Sequence, residues 1–348
     1  MSEAPIFVIG AMRSGTTLLR LVLDSHERIA IGPESGFMRA AAAMKNIPTW
    51  DYGEGWYRRF GWSDDEMNGR IQRFFGELFE RYAAEQGKAR WGEKTPLHVW
   101  HLEDMATLFP EAVFVAIVRH PGAVAHSMSR RWHYTTSAAA DSWVRANTEI
   151  VRVGSELGDR IALCRYEDVV LEPEPTLRRL VHHLGEAWSD TLLRHHEIQR
   201  AKGTARVVDG GTQSRRAIDD DAIRRWPDAL PAADQAHIWA TAAPLAALFG
   251  YARDEVVPRP GGPWPVALGP DLRNLRDGAL QVDFTRQREV QIADAAPEDL
   301  AERLARVEAK LERMQSRRSV RVADAAKRAK RAKNLAELRA ALGHALSR

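Results

Sequence analysis

Cysteine is almost missing from this chain: Cys164 is the only one among 348 residues. A disulfide framework is therefore excluded, and the composition suits a reducing compartment. Cys164 falls in the strand-like run Ile161–Cys164 and reads as a small buried hydrophobe. No apolar run reaches the roughly 18 residues that a membrane span needs. The first residues enter a strand-like run without a basic flank or a small-residue cleavage site. The expected location is thus cytoplasmic, with a peripheral place at the inner membrane face as the variant. HExxH and CxxC signatures are absent, and His98, His101, His120 and His126 have no metal-ligand spacing, so no metal is expected. Repeats of 20–50 residues are absent as well. The body shows no basic stripe with interleaved aromatics, which argues against a nucleic-acid partner.

The charge is unevenly placed. Residues 317–333 hold eight Lys or Arg against Asp324, a charge of +7, so a chain of net +3 is left with −4 elsewhere. Before this tail, Leu300, Leu304, Val307, Leu311 and Met314 alternate four and three apart, as in a coiled-coil seam. Residues 298–314 would then pair with a second copy, or pack as a helix on their own body. Residues 317–333 would dock on an anionic membrane surface or form a solvated helix face. The Pro/Gly-rich stretch Pro258–Pro265 marks a boundary. The expected organisation is a catalytic domain at 1–258, a linker and weakly patterned segment at 259–297, and a helical basic tail at 298–348.

The informative stretch is residues 6–23. An apolar run, Ile6–Ile9, enters a loop opened by Gly10 and closed by Gly15, and a helix follows from about Thr17. Glycines let successive N–H groups turn inward, and the next helix aims its positive end at the same point, so such a loop binds phosphate. The spacing nearly matches a P-loop, but Thr16 stands where a nucleotide triphosphatase has Lys, and the cation comes earlier as Arg13. A second apolar run, Val113–Val118, has the character of a buried parallel strand and ends in Arg119-His120-Pro121, where a magnesium-binding P-loop enzyme has Asp. Two cationic strand ends without a metal carboxylate suggest a nucleotide phosphorylated at two places. Further strands are expected at Ile29–Ile31 and Ile161–Tyr166, with Glu34 just past the first of these. Residues 36–90 read as mostly helical and aromatic. Strand and helix alternate, so the fold class is α/β, a P-loop-like three-layer fold with a central parallel sheet and a C-terminal helical or coiled-coil extension. Ligands of such sheets lie at the carboxyl ends of the strands.

These motifs resemble the PAPS-dependent sulfotransferases, whose donor is 3′-phosphoadenosine 5′-phosphosulfate, in particular bacterial members similar to tyrosylprotein and Golgi carbohydrate sulfotransferases. The resemblance covers roughly residues 5–250. Arg13-Ser14-Gly15-Thr16-Thr17 is similar to the family's 5′-phosphosulfate loop, and Arg119 with Ser127 to its 3′-phosphate site. Glu93-Lys94-Thr95-Pro96 and Tyr166-Glu167-Asp168 are supporting matches. The resemblance implies that Arg13 stabilises charge on the transferring sulfonate, that Glu34 is the general base, and that Lys94 contacts sulfonate or acceptor. It implies donor contacts from Tyr166 and from Arg216, which lies ten residues before Trp226. The product would be adenosine 3′,5′-bisphosphate, and the acceptor a hydroxyl of a carbohydrate, glycolipid or small molecule. Two other functions stay open at this level: a kinase or NTPase with a degenerate loop, and a non-catalytic scaffold acting through the C-terminal helix.

Overall fold

Runs of β-branched and aromatic residues build the sheet, and the amphipathic stretches between them cover it. The computed structural model describes residues 3–47, 49–202, 216–253, 255–257 and 266–267. The first half runs β1 (Ile6–Ile9), α1 (Thr16–Leu23), β2 (Ile29–Ile31), α2 (Phe37–Lys45), α3 (Asp64–Glu85), β3 (Arg90–Glu93), α4 (Leu102–Leu108) and β4 (Val113–Val118). The second half runs α5 (Pro121–Trp132), α6 (Thr136–Leu157), β5 (Ile161–Arg165), α7 (Tyr166–Leu171), α8 (Pro173–His183) and α9 (His195–Ala201). It closes with α10 (Asp221–Arg224), α11 (Trp226–Ala229), α12 (Ala232–Leu248) and β6 (Val266–Ala267). A 3-10 turn over Pro96–His101 joins β3 to α4.

The strand order is β2-β3-β1-β4-β5-β6. The first five strands are parallel, and β6 lies antiparallel along β5. Alternate side chains leave each strand on opposite faces. Phe7, Ile9, Phe114, Ala116 and Val118 join one core with residues of α2–α6 and α12. Ile6, Val8, Val115, Ile117, Ala162 and Cys164 join the other with residues of α1, α7 and α8. Both faces of the sheet are therefore covered, giving the three-layer α/β fold. Cys164 is a buried thiol, pushed well up by desolvation.

The expected strands fall within two residues of their anticipated ends, and α1 begins at Thr16, one residue before its anticipated start. The strand β3 was not anticipated. Its sequence, Arg-Trp-Gly-Glu, reads as polar, yet all four residues are buried between β2 and β1. Burial of the two charged ends is matched by partners: Arg90 donates to Ala4 O (2.6 Å) and Glu186 Oε1 (3.1 Å). The linker at 259–297, apart from β6, lies outside the described residues, as do the helical extension, the pairing segment 298–314 and the basic run 317–333.

Candidate functional site

The loop between β1 and α1 is shaped by two left-handed residues, Arg13 (φ 70°) and Gly15 (φ 101°). A Cβ on Gly15 would stand 2.4 Å from Tyr166 Cδ2, and one on Gly10 would stand 2.6 Å from Ile117 O, so the loop sits directly on β4 and α7. Only glycine meets both demands at position 15. The loop closes on Ser14, whose N–H donates to Ala11 O (3.1 Å), while its Oγ is fully buried with no hydrogen-bond partner. A buried hydroxyl without a partner at a helix N-terminus is suited to an anionic oxygen.

The second strand end meets this loop. Arg13 Nε donates to Ser127 Oγ on α5 (2.9 Å), and Arg119 Nη1 donates to Arg13 O (3.2 Å). Arg119 also donates to Ala222 O (2.8 Å), and its guanidinium lies 4.2 Å from the centre of the Tyr166 ring. Its Nε is buried and unpartnered. Tyr166 is thus held between Gly15 and Arg119, and burial pushes its phenol up. Arg13 is held below the ordinary arginine range, first by burial and then by the neighbouring charges of Arg119 and Arg131. Cations gathered this way repel one another, and a bound polyanion relieves that repulsion. Two elements not anticipated complete this end. The Trp132 ring lies 5.5 Å from the Arg13 guanidinium. The fully buried Glu167 accepts the His120 N–H (3.0 Å) and the Tyr251 hydroxyl (2.7 Å). Burial raises the Glu167 carboxyl. The Tyr166-Glu167-Asp168 run was the available signal: Asp168 takes Arg165 Nε at 2.7 Å, and Glu167 ties β5 to the end of β4.

His120 caps α5, accepting the Gly122 N–H at Nδ1 (3.1 Å) and stacking on Trp226 at 4.4 Å between ring centres. A Cβ on Gly122 would collide with the Trp226 ring at 2.5 Å, so the turn after Arg119 is seated on that indole.

The third group lies beyond β2 and β3. Lys94 has no exposed surface; its Nζ donates to Thr17 Oγ1 (3.2 Å) on α1 and pairs with Glu34, which is one-third exposed. Arg20 of α1 donates to Ile31 O and Gly32 O (3.1 Å each), fixing the backbone from which the Glu34 loop departs. Glu93, next to Lys94, accepts from Ser35 and Thr95 and contacts His98. Burial works against its charge, but the His98, Thr95 and Ser35 contacts hold its carboxyl below the ordinary range. The sequence reading named Lys94 and Glu34 but gave Glu93 no part of its own, because its partners Ser35 and His98 lie elsewhere in the sequence.

Arg13, Ser14, Gly15, Thr16 and Thr17 therefore meet Arg119, Ser127 and Tyr166 on one side and Lys94 with Glu34 on the other. Arg216 is not among them. It is exposed, with its ion pairs to Asp219 and Asp221 at 3.9 Å, and it adjoins residues 203–215, which lie outside the described set.

Comparison with known proteins agrees with this fold. Residues 5–190 match the family model described as "Sulfotransferase family". The chain is 30% identical over 278 residues to protein-tyrosine sulfotransferase 1 of Danio rerio, covering 76% of each chain. It is 28% identical to protein-tyrosine sulfotransferase 2 of Gallus gallus, covering 78% of this chain and 76% of the other. Among solved structures, the sulfotransferase domain of the Synechococcus PCC 7002 olefin synthase aligns with a TM-score of 0.54 at 24% identity, covering 72% of this chain and 97% of that one. The expected cytoplasmic location, with its peripheral membrane variant, does not stand against these matches to animal protein-tyrosine sulfotransferases. A single buried cysteine is compatible with more than one compartment and fixes none of them. Among the described residues no helix is long and apolar enough to cross a membrane. The family match and the shared fold place this chain in the sulfotransferase family, and it is a sulfotransferase enzyme.

Proposed function

We propose that the enzyme moves a sulfonate from 3′-phosphoadenosine 5′-phosphosulfate to an acceptor hydroxyl by in-line displacement. The observation that carries this reading is the Arg13–Ser127 contact, which joins the anion loop to the second cationic strand end. The chain's own residues fit a doubly anionic nucleotide. Ser14 Oγ and Arg119 Nε are buried polar atoms without partners, and Arg13 and Arg119 are adjacent cations. Ser14, Gly15, Thr16 and Thr17 would hold the 5′ end, with Arg119 and Ser127 on the 3′-phosphate and Tyr166 beneath. When bound, the donor supplies the sulfonate and a phosphate leaving group.

Glu34 takes the acceptor's proton as the new oxygen–sulfur bond forms and the bond to the 5′-phosphate breaks. Arg13 and Lys94 face the charge that gathers on the leaving oxygen. A positioned base contributes about 10²–10⁴-fold, and each aimed donor on the order of 3–4 kcal/mol. The relatives are named for protein tyrosine, so we favour a tyrosyl phenol over the carbohydrate, glycolipid or small-molecule hydroxyl expected from the sequence.

Calorimetry with adenosine 3′,5′-bisphosphate, 5′-AMP and ATP, in EDTA and then in magnesium, tests the donor site. Tight binding of the bisphosphate alone, without metal, is expected. ATP binding that requires magnesium would overturn the assignment in favour of a kinase or NTPase. With the donor and a tyrosine-containing peptide, Glu34→Gln should lower kcat by about 10²–10⁴-fold.

A further inference from the structure

The helix α2 begins without a cap of its own. Its N-cap is Gly36, in a left-handed conformation (φ 63°), which has no side chain to accept from the first turn. The first N–H groups of a helix have no partner within it and need one from elsewhere. Here they find partners around the end of β3. Glu93 Oε1 accepts the Ser35 N–H (3.2 Å) and the Ser35 hydroxyl (2.8 Å). It also accepts the Thr95 hydroxyl (2.7 Å), and Thr95 Oγ1 accepts the Gly36 N–H (3.1 Å). Ser35 Oγ accepts the Phe37 N–H (3.2 Å), and His98 Nε2 accepts the Met38 N–H (3.4 Å). The other nitrogen of His98 lies 2.8 Å from Glu93 Oε2. Four consecutive backbone N–H groups, Ser35 to Met38, thus depend directly or at one remove on a carboxylate that is 2% exposed. An anion at that spot also suits the positive end of the helix.

The placement matters because Glu34 immediately precedes the clamped segment and Lys94 immediately follows Glu93. Adjacent residues at the end of β3 therefore grip one loop twice: Glu93 by its backbone and Lys94 by the Glu34 side chain. We propose that Glu93 is a positioning residue for sulfonate transfer, fixing the loop that presents Glu34 to the acceptor. It touches neither donor nor acceptor and acts through Glu34; the inference therefore rests on the reading of Glu34 as the base.

The test compares Glu93→Gln and Thr95→Val, each alone and in a Glu34→Gln background, using the donor with a tyrosine-containing peptide. In Glu93→Gln an amide must replace one carboxylate oxygen against the N–H donors of Ser35 and His98, which loosens the clamp while keeping its volume. A displaced catalytic group of this kind loses roughly 30- to 100-fold in kcat. The affinity for adenosine 3′,5′-bisphosphate should stay within about threefold, because Arg13, Arg119 and Ser127 do not touch Glu93. Amide exchange at Ser35–Met38 should rise at least about tenfold. In the Glu34→Gln background the Glu93 change should add less than about threefold, since residues acting through one another do not multiply. Thr95→Val, the milder change, should lower kcat by about 3- to 10-fold and decides the matter if Glu93→Gln does not fold. Wild-type kcat in both variants, unchanged amide exchange, or losses that multiply with Glu34→Gln would overturn the proposal. Wild-type kcat in Glu34→Gln itself would overturn the base reading instead.

Discussion

Gly15→Ala puts the construction of the anion loop under direct test. The backbone at Gly15 has φ 101°, which costs an L-residue about 1–2 kcal/mol. The new methyl would stand 2.4 Å from Tyr166 Cδ2 and 3.0 Å from Cε2. Tyr166 has little freedom to retreat, because it is buried and Arg119 lies 4.2 Å over its ring. Overpacking at such a site costs about 1–3 kcal/mol. The sum is about 2–5 kcal/mol, a large share of the 5–15 kcal/mol typical of a domain. Moving the ring also moves Arg119, so affinity for adenosine 3′,5′-bisphosphate should fall at least about tenfold as a charge-assisted contact is lost. Urea denaturation of Gly15→Ala, Tyr166→Ala and the double variant separates the two causes. Removing the ring leaves only the backbone penalty, so the double variant should be about 1–3 kcal/mol more stable than additivity predicts. Additive losses, or a Gly15→Ala protein as stable as the wild type, would refute the steric argument.

Two further predictions concern buried groups outside the anion loop. Tyr251→Phe removes one of the two partners the described contacts give the Glu167 carboxyl, and should destabilise by about 1–3 kcal/mol in urea denaturation; no loss would mean that the hydroxyl contact is idle. His120 and His195 are pushed down to about 4 by burial, so the unfolded chain, near 6.5, takes up their protons first as pH falls. Their contribution to stability is complete above pH 6.5 and is lost toward pH 4, at about 3 kcal/mol each. Histidine NMR titration checks this: both rings should stay neutral at pH 5, and a midpoint near 6.5 for either would contradict it.

The sequence announced those parts of the site whose residues are neighbours in the chain. Arg13 to Thr17 and Arg119 to Ser127 each lie within one strand–loop–helix passage, so their spacing already implied their geometry. The strands β1, β2, β4 and β5 were legible for a related reason, since a strand buried on both faces is written as an apolar run. The strand β3 breaks that rule. Hydropathy records what a residue is, not what it meets, and Arg90 and Glu93 are buried because they meet Glu186, Ser35, Thr95 and His98. Arg216 stands apart from these groups: it adjoins residues 203–215, outside the described set, and its exposed side chain pairs with Asp219 and Asp221.

The register of the parallel strands explains why the two halves of the site meet at all. Ile31 pairs with Gly92, Phe7 with Glu93, and Ile9 with Ala116, so the carboxyl ends of β2, β3, β1 and β4 lie on the same side of the sheet, each strand running one or two residues past the one before. The loops that follow these ends leave from that side and meet there, whatever their separation in the chain. Glu34 and Lys94 are 60 positions apart and in contact, and Arg13 and Ser127 are 114 apart and hydrogen-bonded. Gly92 is part of this arrangement: a Cβ there would stand 2.8 Å from Ile6 O and 2.9 Å from the Ile31 side chain. A larger residue would push β3 away from β1 and carry Glu93 and Lys94 with it. Among the five parallel strands, the one that hydropathy did not reveal is therefore the strand whose end holds Glu34 through Lys94 and the Ser35 backbone through Glu93.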